Sequence, residues 1–380
     1  MPPSAAMPSS PTQVLIVGAG MAGLTAANQL HQQGVSLTVV DKGRGVGGRM
    51  ATRRQGELRW DHGAQYLTAK ALGFAAFVET LAEQGIVKPW LEELHHLDGF
   101  KGSMDAGNYG KTTWGSPRIS PTTRWVGGKG GIRTVCDAMA STLPASTLHL
   151  STRITRLEPT AQGWAVWGET VTPEGATPLT QPWLAEAVVL TCPLPQALAL
   201  LAISQLTLEE AQHTQLASVQ YAACWTMLAS LTPPLEKLRY YKGIKAFNPK
   251  ATLGWVADNT TKAGWGKGPH PANLITLQAG PDWSDAHLEA DKAWVAEQLW
   301  QALGQWAGDP LPNPEHTMVH LWRYAFARNP LIAPCMRLAG LPPLVLAGDA
   351  FGGEGKVQTA FASGHAAAAE LISCLGVSLV

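Results

Sequence analysis

Apolar and polar positions follow one another along this chain with changing period, and the period marks its elements. Val14-Leu15-Ile16-Val17 is an unbroken apolar run, the pattern of a strand covered on both faces. It stops at Gly18, and Met21 to Gln33 continues as a helix-forming stretch. Ser36 to Val40 predicts a second strand, closed by Asp41. Apolar residues at three- and four-residue spacing predict a helix over residues 71–85. Residues 86–123 are irregular and rich in Gly, Ser, Thr and Trp, so a loop or lid is expected there.

A new unit opens at Trp125-Val126-Gly127-Gly128, with a helix predicted from Ile132 to Ser141 and a strand from Leu148 to Leu157. Trp164 to Trp167 alternates as a strand, and Thr170 to Pro182 reads as a hairpin tip. Ala187 to Thr191 is a second unbroken apolar run, as in a buried parallel strand. The pattern then changes. Gln220 to Leu228 and Leu274 to Leu277 alternate, which predicts antiparallel strands. Ser284 to Trp306 predicts one long amphipathic helix, with Leu288, Val295, Leu299, Leu303 and Trp306 on a shared face. The end returns to the first style. Pro343 to Asp349 is a buried strand ending in Gly-Asp, Gly352 to Gly355 is a glycine loop, and Thr359 to Leu375 is an Ala-rich helix. A nucleotide-type domain that both opens and closes the chain has the other domain inserted into it. The boundaries expected are a disordered leader over 1–11, a nucleotide domain over 12–70, 124–200 and 336–380, and a substrate domain over 71–123 and 201–335.

Composition narrows the function classes. Lys plus Arg equals Asp plus Glu at 28 each, so no electrostatic footprint for nucleic acid is present. No apolar run reaches the ~20 residues of a membrane-spanning helix. The five cysteines are scattered without a Cys-x-x-Cys, which argues against a zinc ribbon or a dithiol and for small buried hydrophobes in a reducing compartment, hence a cytoplasmic location. No metal site is expected. A hydrophobic fraction of 46% suffices for sizeable cores.

The chemistry begins at the first turn. Gly18-x-Gly20-x-x-Gly23 lies between a strand and a helix, where the glycines admit a diphosphate and the helix N-terminus offers free N–H groups. Asp41, 18 residues after Gly23, stands where an acid meets ribose hydroxyls. Lys42-Gly43-Arg44-Gly45-Val46-Gly47-Gly48-Arg49-Met50 follows, with Arg49 able to offer paired donors to phosphate. Trp60-Asp61-His62-Gly63-Ala64-Gln65-Tyr66 packs polar groups and an aromatic around two small residues that leave room for a ring. His62 reads either as a base or as a structural hydrogen bonder. Asp349 reads as a holder of a ribityl or ribose hydroxyl or as a helix cap. His320-Leu321-Trp322-Arg323-Tyr324 reads as a wall over a planar ligand or as a core strand.

Taken in order, these motifs resemble the flavin amine-oxidase superfamily. Residues 38–53 and 60–68 are most similar to its renalase-like branch. The resemblance spans nearly the whole chain but is sharp at its two ends, and residues 200–320 match little. It implies an α/β (α+β overall) two-domain FAD-binding fold of the p-hydroxybenzoate-hydroxylase/amine-oxidase type, a Rossmann-like nucleotide domain with an inserted antiparallel-sheet-plus-helix substrate domain. It implies non-covalent FAD held first by Gly18, Gly20, Met21, Ala22, Gly23 and Asp41. Lys42, Arg44, Gly48, Arg49 and Met50 would follow, then His62, Gly63, Ala64 and Gln65, then Ile154, and finally Gly348, Asp349 and Val357. Tyr66, Trp322, Tyr324 and Lys356 are the substrate-pocket candidates.

Renalases pass hydride from 2- or 6-dihydro isomers of NAD(P)H to flavin N5 and then to O2, giving NAD(P)+ and H2O2. No catalytic dyad stands out in this sequence, which suits a reaction that the cofactor carries. Where amine oxidases set an aromatic just before the last helix, this chain has Lys356-Val357-Gln358. A cation there suits an anionic dinucleotide better than an amine, if it lines the pocket rather than the surface. The alternatives are an amine or amino-acid oxidase, a carotenoid desaturase-like flavoprotein, and a flavin-binding protein without turnover. The oligomeric state is not legible.

Overall fold

The computed structural model describes residues 12–92, 94–97, 123–263, 272–308 and 310–377. The expected leader over 1–11 and most of the expected lid, residues 98–122, lie outside the described residues. The chain divides into two compact units. The first comprises Met1–Gly48, Cys136–Gln220 and Phe326–Val380, the second Arg49–Val135 and Tyr221–Ala325. Residues 49–70 and 124–135 thus make most of their contacts with the second unit. This division by contacts differs from the boundaries read from the sequence at those two places and also at residues 201–220 and 326–335, which it puts in the first unit.

The first unit is built on a nine-stranded sheet. Its parallel centre is Thr12–Val17, flanked by Leu37–Val40 on one side and Trp183–Leu190 on the other. Leu344–Leu346 adds a further parallel strand beside Trp183–Leu190, so the two ends of the chain meet in one sheet. Val14, Leu15, Ile16, Val188, Val189 and Leu190 are fully buried, which explains why these strands read as unbroken apolar runs. Gly163–Thr172 extends the sheet antiparallel, paired with Thr152–Thr160, Gly175–Pro178 and Trp183–Leu190.

The helices Met21–Gln32 and Val357–Cys374 pack closely in this unit. A Cβ on Gly364 would lie 2.3 Å from Ala22 O, so only glycine permits that approach. The predicted strand Leu148 to Leu157 is broken. Leu148–His149 pairs with Val39–Val40, and Ser151 then turns with φ 53° before Thr152–Thr160 begins. The break has a purpose in hydrogen bonding. Asp41 N donates to His149 O, Ser151 N to Gly43 O and Thr152 N to Asp41 O, which clamps the backbone after the second strand.

The second unit carries a six-stranded sheet in the order His316–Ala327, Tyr221–Leu231, Asn273–Gln278, Trp255–Asp258, Gly243–Lys245, His95–His96. Its central pairs are antiparallel as the alternation predicts. Val87–Leu91 is also a strand, paired with Arg124–Gly127, where the sequence suggested irregular chain. The predicted single helix from Ser284 is two helices, Pro281–Ala286 and Lys292–Ala307. Asp291 causes the second start. Its backbone is extended (φ −65°, ψ 140°) and its carboxylate accepts from Ala293 N at 2.8 Å and Trp294 N at 3.2 Å. Val295, Leu299, Leu303 and Trp306 do share the buried face, against Trp225, Met227, Ile275 and Leu277. Leu288 falls in the break and is only half-buried. Among the described residues no helix is long and apolar enough to cross a membrane.

The cap supports a helix that closes one side of this core. Asp291→Ala should lower unfolding free energy by about 1 kcal/mol, read as a lower urea midpoint with an unchanged slope. Asp291→Asn should retain most of that stability.

Candidate functional site

In the first unit the glycine loop separates into two kinds of position. A Cβ on Gly23 would lie 1.9 Å from Gly18 O, and one on Gly18, at φ 114°, would lie 2.3 Å from Thr191 Oγ1. The chain's own packing therefore demands both glycines. Gly20 is different. Its backbone is ordinary (φ −85°, ψ −171°), and a Cβ there would meet nothing nearer than Gly47 O at 4.0 Å. The bare Gly20 leaves an open cradle at the start of the Met21–Gln32 helix. That helix start has no capping side chain and no acid in its first turn. Uncapped N–H groups and the positive end of the dipole suit a diphosphate.

The acid at the end of the second strand frames the same cradle. Asp41 Oδ2 accepts from Ala19 N at 2.7 Å and Oδ1 from Gly43 N at 2.6 Å. Each oxygen keeps a further acceptor direction, which a ribose hydroxyl can use. Gly47 N donates to Ala19 O at 2.8 Å, so the second glycine loop lies on the first. Gly48, at φ 53°, comes within 3.6 Å of Gly20 Cα when given a Cβ. Met21 and Ala22 are buried in the helix start, and Lys42 and Arg44 are exposed on the loop. Ile154 lies at a register shift opposite Gly168. Gly348 N donates to Ser363 Oγ at 2.9 Å, and Asp349 beside it is buried. Asp349 does not cap the last helix, whose N-cap is Lys356, followed by Val357. Lys356 is half-exposed and ion-paired with Glu354 at 2.9 Å.

The second unit holds Arg49, Met50, His62, Gly63, Ala64, Gln65, Tyr66, Trp322 and Tyr324. Here many polar atoms of the segment Trp60–Tyr66 are held by hydrogen bonds. Trp60 Nε1 donates to Ala229 O at 2.9 Å. Asp61 is completely buried, and its carboxylate accepts from Thr52 Oγ1 (2.7 Å), Ile132 N (2.9 Å) and Lys262 Nζ (3.1 Å). Asp61 N donates to Asn259 Oδ1, and Asp61 O accepts from Thr276 Oγ1 at 2.8 Å. Gln65 Nε2 donates to Asp61 O at 2.7 Å and Gly63 O at 3.1 Å, while its Oε1 accepts from Lys262 Nζ at 3.1 Å. The Gln65 side chain is thus committed within the unit. A Cβ on Gly63 would lie 1.9 Å from Arg49 O, and Ala64 N donates to the same oxygen at 2.9 Å.

Three rings gather beside this segment. Trp322 Nε1 donates to His62 O at 2.8 Å, and the His62, His320 and Trp322 ring centroids lie 4.5–5.5 Å apart. His62 Nδ1–H donates to Ala51 O at 3.1 Å, which leaves Nε2 as the acceptor nitrogen. Burial, then the neighbouring His320, pushes His62 down to about 4, so the ring is neutral at pH 7. Tyr66 is half-buried against Trp255 (5.5 Å between rings), with the Arg124 guanidinium 5.6 Å from its centroid. Tyr324 meets Tyr221 edge-on at 5.8 Å, and Arg49 Nη1 donates to Tyr324 O and Ala325 O at 3.3 and 3.4 Å. Lys262, Asn259, Thr276 and Gln278 hold this site and were not singled out from the sequence. Among the described residues no cluster of His, Cys, Asp and Glu could hold a metal ion.

The depressed His62 carries a stability consequence. The unfolded ring takes a proton near 6.5 and the folded one near 4, so acidification across that window favours the unfolded chain. The loss amounts to about 3 kcal/mol at its limit. Urea unfolding of the wild type should show falling stability from pH 6.5 to pH 4. His62→Gln should flatten that fall, leaving the parts due to His320 and His149, which burial also lowers.

Comparison with known proteins agrees with this construction. Residues 16–80 match an NAD(P)-binding Rossmann-like domain, and residues 70–372 match the flavin containing amine oxidoreductase family. An L-amino-acid oxidase of Siganus canaliculatus is 38% identical over 85 residues, 22% of this chain and 16% of that protein. The chloroplastic/mitochondrial protoporphyrinogen oxidase 2 of Arabidopsis thaliana is 41% identical over 56 residues, 15% of this chain and 11% of that protein. These matches thus span less than a fifth of either relative. Among solved structures, a candidate protoporphyrinogen oxidase from Exiguobacterium sp. 255-15 superposes with a TM-score of 0.68 at 12% identity, over 96% of this chain and 99% of that one. Putrescine oxidase with putrescine bound gives a TM-score of 0.64 at 16% identity, with the same coverage. At such identities the likeness is one of fold. The match over residues 70–372 takes in well over half of the sequence, and the chain belongs to the flavin containing amine oxidoreductase family.

Proposed function

We propose that this chain is a renalase-like oxidase that converts 2- or 6-dihydro isomers of NAD(P)H to NAD(P)+, with O2 as final acceptor and H2O2 as product. FAD, when bound, supplies the two-electron acceptor. The first unit's open Gly20 cradle, the uncapped helix start and Asp41 are the residues suited to hold its diphosphate and ribose without a covalent bond. Asp349 is the proposed holder of a further hydroxyl, and Tyr66, Trp322 and Tyr324 are the proposed wall of the substrate pocket.

One observation carries the choice of substrate class. The segment that carries Tyr66 has spent its acid and base groups internally. Asp61 is saturated by Thr52, Ile132 and Lys262, and His62 is neutral with Nδ1 engaged by Ala51 O. Asp61 is committed to its three donors, and His62, pushed down to about 4, keeps Nε2 as an acceptor but is too weak a base to draw a proton from an ammonium. A dihydropyridine needs no such proton transfer, because it gives up a hydride and becomes aromatic. Arg124 beside Tyr66 adds positive rather than negative potential.

Anaerobic addition of 2- or 6-dihydro-NAD(P) should bleach the bound flavin within the mixing time of a manual assay. Bleaching by simple amines or amino acids but not by these isomers would move the chain to the amine or amino-acid oxidase reading. Gly20→Val separates cradle from fold. The Cβ meets nothing nearer than Gly47 O at 4.0 Å among the described residues and the backbone suits a non-glycine residue, so the melting temperature of flavin-free protein should change little while FAD content of the purified protein falls to near zero. Retained FAD would remove Gly20 from the cradle.

A further inference from the structure

We infer that Lys262, through its ion pair with Asp61 and its grip on Gln65, is a positioning residue for the segment that carries His62 and Tyr66. The inference rests on the reading of Tyr66 as a substrate-pocket residue.

Lys262 is fully buried, as is its partner Asp61. Its ammonium has three N–H bonds and three matched neighbours: Asp61 Oδ2 at 3.1 Å, Gln65 Oε1 at 3.1 Å, and the Trp90 ring 5.1 Å from its centroid. Burial disfavours the charge, and Asp61 opposes that shift. A buried pair of this kind contributes little to net stability compared with apolar residues of the same size, so its value lies in what it orients.

The orientation can be followed atom by atom. A cation next to Gln65 admits only the amide oxygen. The amide nitrogen is therefore turned the other way, where it donates to Asp61 O and Gly63 O. Those two carbonyls set the path of the chain through His62. Gln278 Nε2 holds Gly63 O from a second side at 2.9 Å, and Trp322 Nε1 holds His62 O at 2.8 Å. Tyr66 follows Gln65 directly and takes its place against Trp255. A flipped Gln65 would set NH2 against the ammonium and its oxygen against two carbonyls, so Lys262 and the two carbonyls enforce the same sense, and loss of Lys262 removes the restraint on the oxygen end. Thr52 and Ile132 N restrain one Asp61 oxygen, and among the described residues Lys262 is the side chain that links that carboxylate to Gln65.

The test uses the FAD-loaded full chain. Lys262→Met alone strands a buried carboxylate, so the informative variant is the neutral pair Asp61→Asn/Lys262→Met, which keeps volume and removes both charges. It should retain FAD, show faster deuterium uptake in a peptide spanning residues 60–66, and lose about 10- to 100-fold in the limiting rate of flavin reduction by 6-dihydro-NAD. A wild-type reduction rate in the FAD-loaded double variant overturns the inference, whatever its melting temperature. Should the double variant fail to load FAD, Gln65→Leu decides: a comparable loss of rate supports the inference and an unchanged rate overturns it. Should the wild type be reduced by amines and not by dihydronicotinamides, the functional reading fails. The same variants with the reducing amine then decide the positioning role separately.

Discussion

A carboxylate shut away from water must be matched completely, and Asp61 imposes that demand on the second unit. Its two oxygens draw in a threonine from the strand Thr52–Gln55, a backbone N–H at Ile132 and a lysine from the short helix Thr260–Ala263. Gly131 is glycine for this reason. At φ 85°, a Cβ there would fall 2.3 Å from Thr52 Oγ1 and 2.6 Å from Asp61 Oδ1. Asn259, Thr276 and Gln278 then complete the hydrogen bonds of the Asp61, His62 and Gly63 backbone. Leaving one such group unpaired costs about 1–3 kcal/mol, and more for a charge, so the arrangement tolerates few alternatives. Four separate stretches of chain converge because one charge requires them.

The first unit works by the opposite principle, exclusion of side chains. Gly18, Gly23 and Gly364 are fixed by contacts that a single methyl would break. Among the described residues a Cβ on Gly20 would meet nothing nearer than Gly47 O at 4.0 Å, and Gly20 stands at a helix start with no capping side chain. A pattern of glycines alone does not tell these cases apart. The distances do, and they divide the motif into residues that serve the fold and one that leaves room for a ligand.

The legibility of the sequence followed the range of the interactions. Unbroken apolar strands, the glycine loop and the Ala-rich last helix are local patterns, and each was readable and is present. The break before Lys292 was also written locally, in Asp291, but apolar periodicity outweighed a single capping residue in the reading. The turn at Ser151 had no local sign, because it answers to Gly43, more than a hundred residues earlier. Lys262 was least legible of all. In Thr260-Thr261-Lys262-Ala263 it has the look of a solvated turn, and its partner Asp61 is separated from it by 201 residues. Buried charge pairs formed across such distances leave no periodic trace.

The electrostatics also bear on which electron donors the proposed pocket can serve. An alkylamine, with an acidity near that of a lysine side chain, arrives as the ammonium and must lose a proton before its electrons are available. His62, held near 4, would take that proton uphill by about 9 kcal/mol. Asp61 is already engaged by three donors, one of them the Lys262 ammonium. Water would have to take the proton, and the rate of amine oxidation would then climb with pH as free amine accumulates. A dihydropyridine carries no such proton, and its oxidation would be flat across the same range. If the Trp60–Tyr66 segment lines the pocket as proposed, the groups that hold it would favour donors that have no proton to lose before oxidation. In such a pocket Asp61 would already be committed to its donors and His62 would be too weak a base to serve a substrate that must first lose a proton.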